Sequence, residues 1–339
     1  MPDRTEIYRA ALALEAGQLV AFPTETVYGL GADAENPEAI AAIYAVKGRP
    51  SGHPLIVHLA EGADVTYWAE AIPDEAQKLI HAFWPGPLTL ILKRASHIPP
   101  AVAGGQDTIG LRCPSHPVAQ ALLSAFRDGK GGVAAPSANL FGHVSPTLAQ
   151  HVRDEFGNDS RLAVVLDGGQ SDVGIESTIL DLSRIQTHGP VLLRPGKISA
   201  ADIAGVIGKV PAEADKAAPR ASGTLQSHYA PHTPVVLVPA EKMADVLKRL
   251  KDKGRRIAVM HYSPLPDVPE TSFSARRLMP SSVEAYSHNL YASLRALDEA
   301  GADMIVVENT PGNDAWVGVN DRLRRAAHDA GGLLEKWLA

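Results

Sequence analysis

Cysteine is almost absent from this chain: Cys113 is the only one in 339 residues. A single thiol excludes an intrachain disulfide and any CxxC metal site, and it suits a reducing compartment. Long apolar runs are missing as well. None approaches the roughly 18 residues that a membrane-spanning helix requires. The opening MPDRTEIYRAALALEAGQ lacks the apolar stretch and small-residue cleavage site of a secretory signal. The expectation is a cytoplasmic protein with no membrane association. No GxxxxGKS/T, no GxSxG and no zinc-spaced His/Cys set occurs. Their absence excludes a Walker-type nucleotide site, the nucleophile elbow of α/β-hydrolases and structural zinc. Positive charge is scarce in one half only. Residues 1–208 hold 15 Lys+Arg against 22 Asp+Glu, a balance of −7, while residues 209–339 hold 17 against 16, a balance of +1. An acidic N-terminal half is a poor platform for neutralising phosphates, so direct nucleic-acid binding is not expected to dominate.

What is present suits two soluble α/β domains. Apolar residues make up 45% of the chain and charged residues 21%, enough apolar material for two cores at this length. The spacing of Ile7, Ala11 and Leu14 predicts a helix over 5–16, and Asn36-Pro37 starts another that runs to Lys47. Further helices are expected near 74–83, 116–127 and 147–156. Strands are expected at Leu19–Phe22, Leu55–Leu59, Leu88–Leu92, Ile109–Arg112, Gly132–Ala135, Ala163–Leu166 and Thr178–Leu182. Strand and helix do not alternate regularly here, so residues 1–208 predict a curled mixed sheet with flanking helices. Residues 209–233, rich in Pro, Ala and Ser, read as a linker. Regular alternation in 234–339 predicts a smaller parallel, Rossmann-like α/β domain.

Two polar clusters stand out, KGRPSGHPLIVHL at 47–59 and APSANLFGHVSPT at 135–147. Lys47 and Arg49 offer a mobile point charge and a planar fork, both suited to phosphate oxygens; a solvated turn is the plain alternative. His58 lies within an apolar strand, where a satisfied core histidine competes with a ligand contact. Arg112 closes an apolar strand and needs a partner, and a structural ion pair and a substrate clamp both fit. Ser137, Asn139 and Ser145 form a donor-rich loop, although Ser145-Pro146 also looks like a helix cap. Ser177 heads another strand, and Arg194 ends one before Pro-Gly. In FPTETVYGLGADA the GLGADA segment matches only the loosest dinucleotide fingerprint, so its glycines are expected to permit tight turns and Thr26 to act as a turn hydroxyl or a ligand contact. No weight attaches to Glu176 or Asp167 as metal ligands.

Together, PTETVYGLG, KGRP…PLIVH, WPGPLTLIL, TIGLRCP, APSAN, ESTIL, LLRPG and the later SHYAPHTP resemble the threonylcarbamoyl-AMP synthase family in its long, two-domain form. The resemblance spans nearly the whole chain and implies a YrdC-like catalytic domain at 1–208, a linker at 209–233 and an α/β domain at 234–339; from its Gly223 hinge and aromatic tip the linker is expected to act as an active-site lid. It implies a nucleotidyltransferase reaction: ATP, L-threonine and bicarbonate give threonylcarbamoyl-AMP and pyrophosphate. The product would pass to the tRNA threonylcarbamoyl transferase machinery that modifies position 37. By resemblance, Lys47 and Arg49 are catalytic. ATP is met by Lys47, Arg49, His53, Thr108, Ser137, Asn139, Ser145, Arg194 and Tyr229, with Mg²⁺ accompanying the nucleotide. Threonine is met by Thr26, His58, Arg112, Ala135 and Ser177. His53 replaces an amide expected in relatives, and ASGTLQSHYAP departs from their linker pattern. A related hydrogenase-maturation carbamoyltransferase would carry a zinc finger, which one cysteine does not allow. An RNA-binding module is disfavoured by the −7 balance.

Overall fold

The computed structural model describes residues 2–265 and 273–339. Two compact units result, Met1–Phe141 with Ser145–Thr224, and Gly142–Val144 with Leu225–Ala339. The first is organised on ten strands: β1 (Leu19–Phe22), β2 (Gly29–Asp33), β3 (Ile56–Leu59), β4 (Leu88–Lys93), β5 (Thr108–Arg112), β6 (Gly132–Ala134), β7 (Leu162–Val165), β8 (Thr178–Asp181), β9 (Val191–Arg194) and β10 (Ala212–Glu213). They form one mixed sheet in the order β10-β9-β8-β4-β5-β3-β6-β2-β1-β7. Its helices are α1 (Arg4–Glu15), α2 (Pro37–Lys47), α3 (Asp74–Phe83), α4 (Pro117–Ala125), α5 (Ala149–Phe156), α6 (Ile185–His188) and α7 (Ala200–Ile207).

Alternation along each strand decides which face a residue serves. Leu19 and Ala21 of β1, Val57 and Leu59 of β3, Leu88, Leu90 and Leu92 of β4, and Ile109 and Leu111 of β5 join one core with residues of α2 and α3. On the other face Val20 and Phe22 pack with α1 and α4. Further along that second face the side chains are Ile56, Ile91, Ile179, Val191 and Leu193, and they are covered by Ala221. Each fully buried leucine in such a core contributes about 2 kcal/mol.

Two expectations are corrected. The Gly29–Asp33 segment is a strand, antiparallel to β1 and β6, and not a turn. A Cβ on Gly31 would lie 2.8 Å from the Phe22 ring and 2.9 Å from Val133, so this glycine permits close packing and not a left-handed turn. The first part of the 209–233 stretch, up to Thr224, belongs to the first unit, with Ala221 in an apolar cluster and Ala218 packed against it.

The second unit has a four-stranded, all-parallel sheet, β11 (Val235–Val238), β12 (Ile257–His261), β13 (Ala275–Leu278) and β14 (Met304–Glu308), in the order β11-β14-β12-β13. Helices α8 (Met243–Asp252), α9 (Val283–Asp298), α10 (Val317–Ala326) and α11 (Leu333–Leu338) accompany it. Met243, Val246, Leu247 and Leu250 of α8 cover one face, and α9 packs on β12 and β13. Strand β13, ARRL, has no apolar run and gave no signal in the sequence. Among the described residues, no helix is long and apolar enough to cross a membrane.

Candidate functional site

Helix α2 delivers the first two cations. Asn36 caps its start, Pro37 occupies the first turn, and Gly48 ends it with φ 60°. That left-handed residue costs glycine little and turns the chain back, so that the Arg49 N–H donates to the Tyr44 carbonyl at 3.0 Å. Lys47 is buried, not on an exposed turn. Its Nζ donates to the Ser137 carbonyl at 2.6 Å and to the Asn139 carbonyl, which fastens the Ser-Ala-Asn loop to the end of α2. Burial, reinforced by Arg49, holds its pKa well below the usual lysine range. Arg49 NH2 donates to the Pro54 carbonyl at 3.0 Å and to Ser222 Oγ at 3.1 Å, and its guanidinium lies 5.5 Å from the centre of the Phe141 ring. His53 packs edge-on against the same ring at 5.4 Å.

The sheet supplies a row of buried polar groups. Parallel pairing of β3 with β5 places His58 beside Arg112. Arg112 NH1 donates to Thr26 Oγ1 at 3.0 Å. Next to β5 is β4, whose Thr89 hydroxyl lies 2.8 Å from that of Ser177. Arg194 then donates from Nε and NH2 to the Ser177 carbonyl at 3.1 and 2.9 Å, and from NH1 to the Ser222 carbonyl at 2.9 Å. Gly110 leaves the middle of the face open: a Cβ there would meet Ile91 at 3.2 Å, Ile56 at 3.4 Å and Thr89 at 3.6 Å. The face therefore has a polar end, His58–Arg112–Thr89–Ser177, and an apolar end, Ile56–Ile91–Ile179, with buried Thr108 on the same strand as Arg112.

Proton assignments follow from the contacts. Thr24 Oγ1 donates to the Val27 carbonyl at 2.7 Å, so in the 2.9 Å contact between the two threonine hydroxyls Thr26 is the donor. Toward a ligand, Thr26 Oγ1 can then only accept, which suits an amine. His58 is buried, and its Nδ1 has no partner among the described residues. Burial, and to a lesser extent Arg112, push its pKa down to about 3. It is a neutral imidazole and too weak to serve as a base at neutral pH. Ser145 donates to Glu176 Oε1 at 2.6 Å, both buried, and Ala135 is held by its N–H donating to the Ile56 carbonyl at 3.0 Å.

All the sequence-expected site residues except Tyr229 lie in the first unit. Tyr229 belongs to the second, where it is buried with φ 63°. Its ring meets His228 at 4.1 Å and has the Arg322 guanidinium 5.4 Å from its centre. Two residues were passed over in the sequence. Glu25 pairs with Arg112 NH2 at 2.6 Å, both side chains 5% exposed, and Ser222 ties Arg49 and Arg194 together. Arg112's need for a partner left a carboxylate, a phosphate or a carbonyl open; nothing marked Ser222. A separate cleft of about 830 Å³, lined by Glu35, Glu61, Asp64, Tyr67, Arg127 and Lys130, shares none of these residues. Its Arg127 is engaged by Asp33 and Glu35.

Comparison with known proteins gives a consistent result. A family model described as "Telomere recombination" (Sua5_yciO_yrdC) matches residues 12–196, and one described as "Threonylcarbamoyl-AMP synthase, C-terminal domain" matches residues 198–328. The threonylcarbamoyl-AMP synthase of Pyrococcus abyssi is 36% identical over 339 residues, 96% of each chain. That of Bacillus subtilis is 38% identical, over 95% of this chain and 93% of its own. The crystal structure of P. abyssi Sua5 complexed with L-threonine superposes with a TM-score of 0.86 at 34% identity, covering 97% of this chain and 96% of that one.

Proposed function

This chain belongs to the threonylcarbamoyl-AMP synthase family, and from that premise we propose that it joins N-carbamoyl-threonine to AMP, using ATP, L-threonine and bicarbonate and releasing pyrophosphate. The carrying observation is the site face itself. A buried arginine and hydroxyls stand at one end, an apolar floor lies beyond, and Lys47, Arg49 and Arg194 belong to the same unit. Arg112 would fork onto the threonine carboxylate. Thr26 Oγ1, an acceptor, suits its amine and the His58 ring its hydroxyl, with Ser177 and the Ala135 backbone completing the amino-acid end. The apolar floor and Thr108 suit adenosine. Lys47, Arg49, Arg194, Ser137 and Asn139 suit the phosphates, with His53 at their margin and Ser145 holding Glu176 through its hydroxyl.

In the reaction the threonine amine, as free base, attacks the carbon of CO₂ derived from bicarbonate and loses a proton, leaving a carbamate. A carbamate oxygen then attacks the α-phosphorus, and the bond to pyrophosphate breaks. With His58 too weak a base, the chain's contribution is positioning and charge stabilisation. Among the described residues no group of three or more His, Cys, Asp or Glu could hold a metal. The residues fit an Mg²⁺ that arrives on the triphosphate, with Glu176 as the chain's carboxylate, a pattern common for this ion. Bound there, it would neutralise charge on the departing pyrophosphate. The segment carrying Ser222 is read as a lid over the nucleotide end, since Ser222 contacts both Arg49 and Arg194. The product is a reactive adenylate made in the cytoplasm for the tRNA threonylcarbamoyl transferase machinery.

The test is pyrophosphate release from ATP with threonine and bicarbonate omitted in turn. Release is expected only with both; release that ignores either omission ends the assignment.

A further inference from the structure

Arg112 is the residue on which amino-acid selection rests in the proposed reaction, and its guanidinium is held from three sides. Nε donates to the Gly86 carbonyl at 3.4 Å, NH1 to Thr26 Oγ1 at 3.0 Å, and NH2 forms a 2.6 Å ion pair with Glu25 Oε1. A guanidinium has five N–H donors; Nε and NH1 each use one, and the contact of NH2 with Glu25 is an ion pair without hydrogen-bond geometry, so donors remain on both terminal nitrogens for an incoming carboxylate. Glu25 is itself held in place. Its second oxygen, Oε2, accepts from the Ser115 N–H at 3.1 Å, and its backbone carbonyl accepts from the Val173 N–H at 2.7 Å. Its side chain is 5% exposed, so water cannot substitute for it.

We propose that Glu25 is a positioning residue for amino-acid recognition: a fixed internal counter-ion that holds Arg112 as a fork open toward the α-carboxylate of threonine. The proposal rests on the reading given above and adds a residue to it. Three features argue for this role over a merely structural pair. The two partners sit on different elements, the loop after β1 and the end of β5. Glu25 pairs with Arg112 by charge at NH2 and accepts none of its N–H groups, so the donors of both terminal nitrogens stay available. The neighbouring residue, Thr26, contacts the same guanidinium, so one short segment fixes both Arg112 and an acceptor for the amine. An unpaired Arg112 would rotate toward any nearby carbonyl, and a fork displaced by an ångström loses much of its binding.

The experiment compares wild type, Glu25→Gln and Glu25→Asp in the pyrophosphate assay on the full chain. Wild-type dependence on threonine is established first, since its failure sinks the reaction assignment and not the role of Glu25. For Glu25→Gln the threonine KM is expected to rise about tenfold or more, with kcat within about threefold and the ATP KM unchanged. Glu25→Asp, which keeps the charge and withdraws it by one methylene, is expected to show the same split at smaller amplitude. It decides the matter if the Gln variant does not fold. Binding of L-threoninol, which lacks the carboxylate, is expected to be unaltered in a folded variant. An unchanged or lowered threonine KM overturns the proposal, and so does a parallel rise in the ATP KM, the mark of a general structural role.

Discussion

His58 illustrates how one residue's surroundings assign its chemistry. It lies at the polar end of the sheet face, beside Arg112 and edge-on to Phe22 at 6.1 Å. Burial and the neighbouring cation both oppose a positive charge, which is why it titrates near pH 3. The consequence for stability has a definite sign. Unfolded, a histidine takes up a proton below pH ~6.5; folded, this one does not until about pH 3. Between those values the unfolded state holds more protons, so stability falls as pH falls. The slope from one such group is at most about 1.4 kcal/mol per pH unit. Denaturant titrations of wild type and His58→Gln are expected to differ by an amount that grows as pH drops from 6.5 toward 4. A difference that is flat across that window would show that His58 protonates in the folded state. Lys47, whose sequence setting predicts a turn cation, is a buried amine that donates to two carbonyls and shapes the Ser137–Asn139 loop.

At the scale of elements, the segment 218–222 acts as a strap across the apolar end of the site face. Ala221 fills the space among Ile56, Ile91 and Ile179, and the Ser222 hydroxyl donates to the Pro54 carbonyl at 2.8 Å. Arg220 NH2 donates to the Gly104 carbonyl at 3.1 Å. Arg49 and Arg194 also hold Ser222, and Gln106 holds the Arg220 backbone; each neutral bond contributes about 1 kcal/mol and each one from a guanidinium somewhat more. Burying an unpaired carboxylate costs more than that, so Ala221→Asp is expected to lift the strap instead of unfolding the sheet. Limited proteolysis should then cut near 218–224 with far-UV circular dichroism unchanged, and ATP affinity should fall about tenfold or more if the strap is a lid. A strap that opens to protease while ATP affinity stays the same would end the lid role. The strands beneath were legible because β5, TIGLR, alternates apolar and polar residues. The strap was not, since short alanine-rich sequence has no period to read.

For the whole molecule, the division into two units gives ligand binding a local signature. Thr26, His58, Arg112, Ala135 and Ser177 all belong to the first unit. Threonine at about 100 times its Kd should stabilise the state that binds it by about 2.7 kcal/mol. Amide hydrogen exchange is expected to slow in β3, β5 and β8, whereas amides in β11 to β14 keep their rates. Protection confined to the second unit would place the amino-acid site elsewhere.

By itself the sequence determined the local facts. It carried the helix ends set by Asn36, Pro37 and Gly48, the alternation that splits each strand into a core side and a site side, and the motif order that marks the family. Those depend on neighbours a few residues apart. Tertiary structure decided which strands adjoin, and hence that His58, Arg112, Thr89, Ser177 and Arg194 form one row. It also decided that Gly31 serves close packing, that Lys47 is buried, and that Glu25 is the partner Arg112 required. Such outcomes turn on burial and on contacts between residues far apart in the chain, and neither leaves a periodic trace in the sequence.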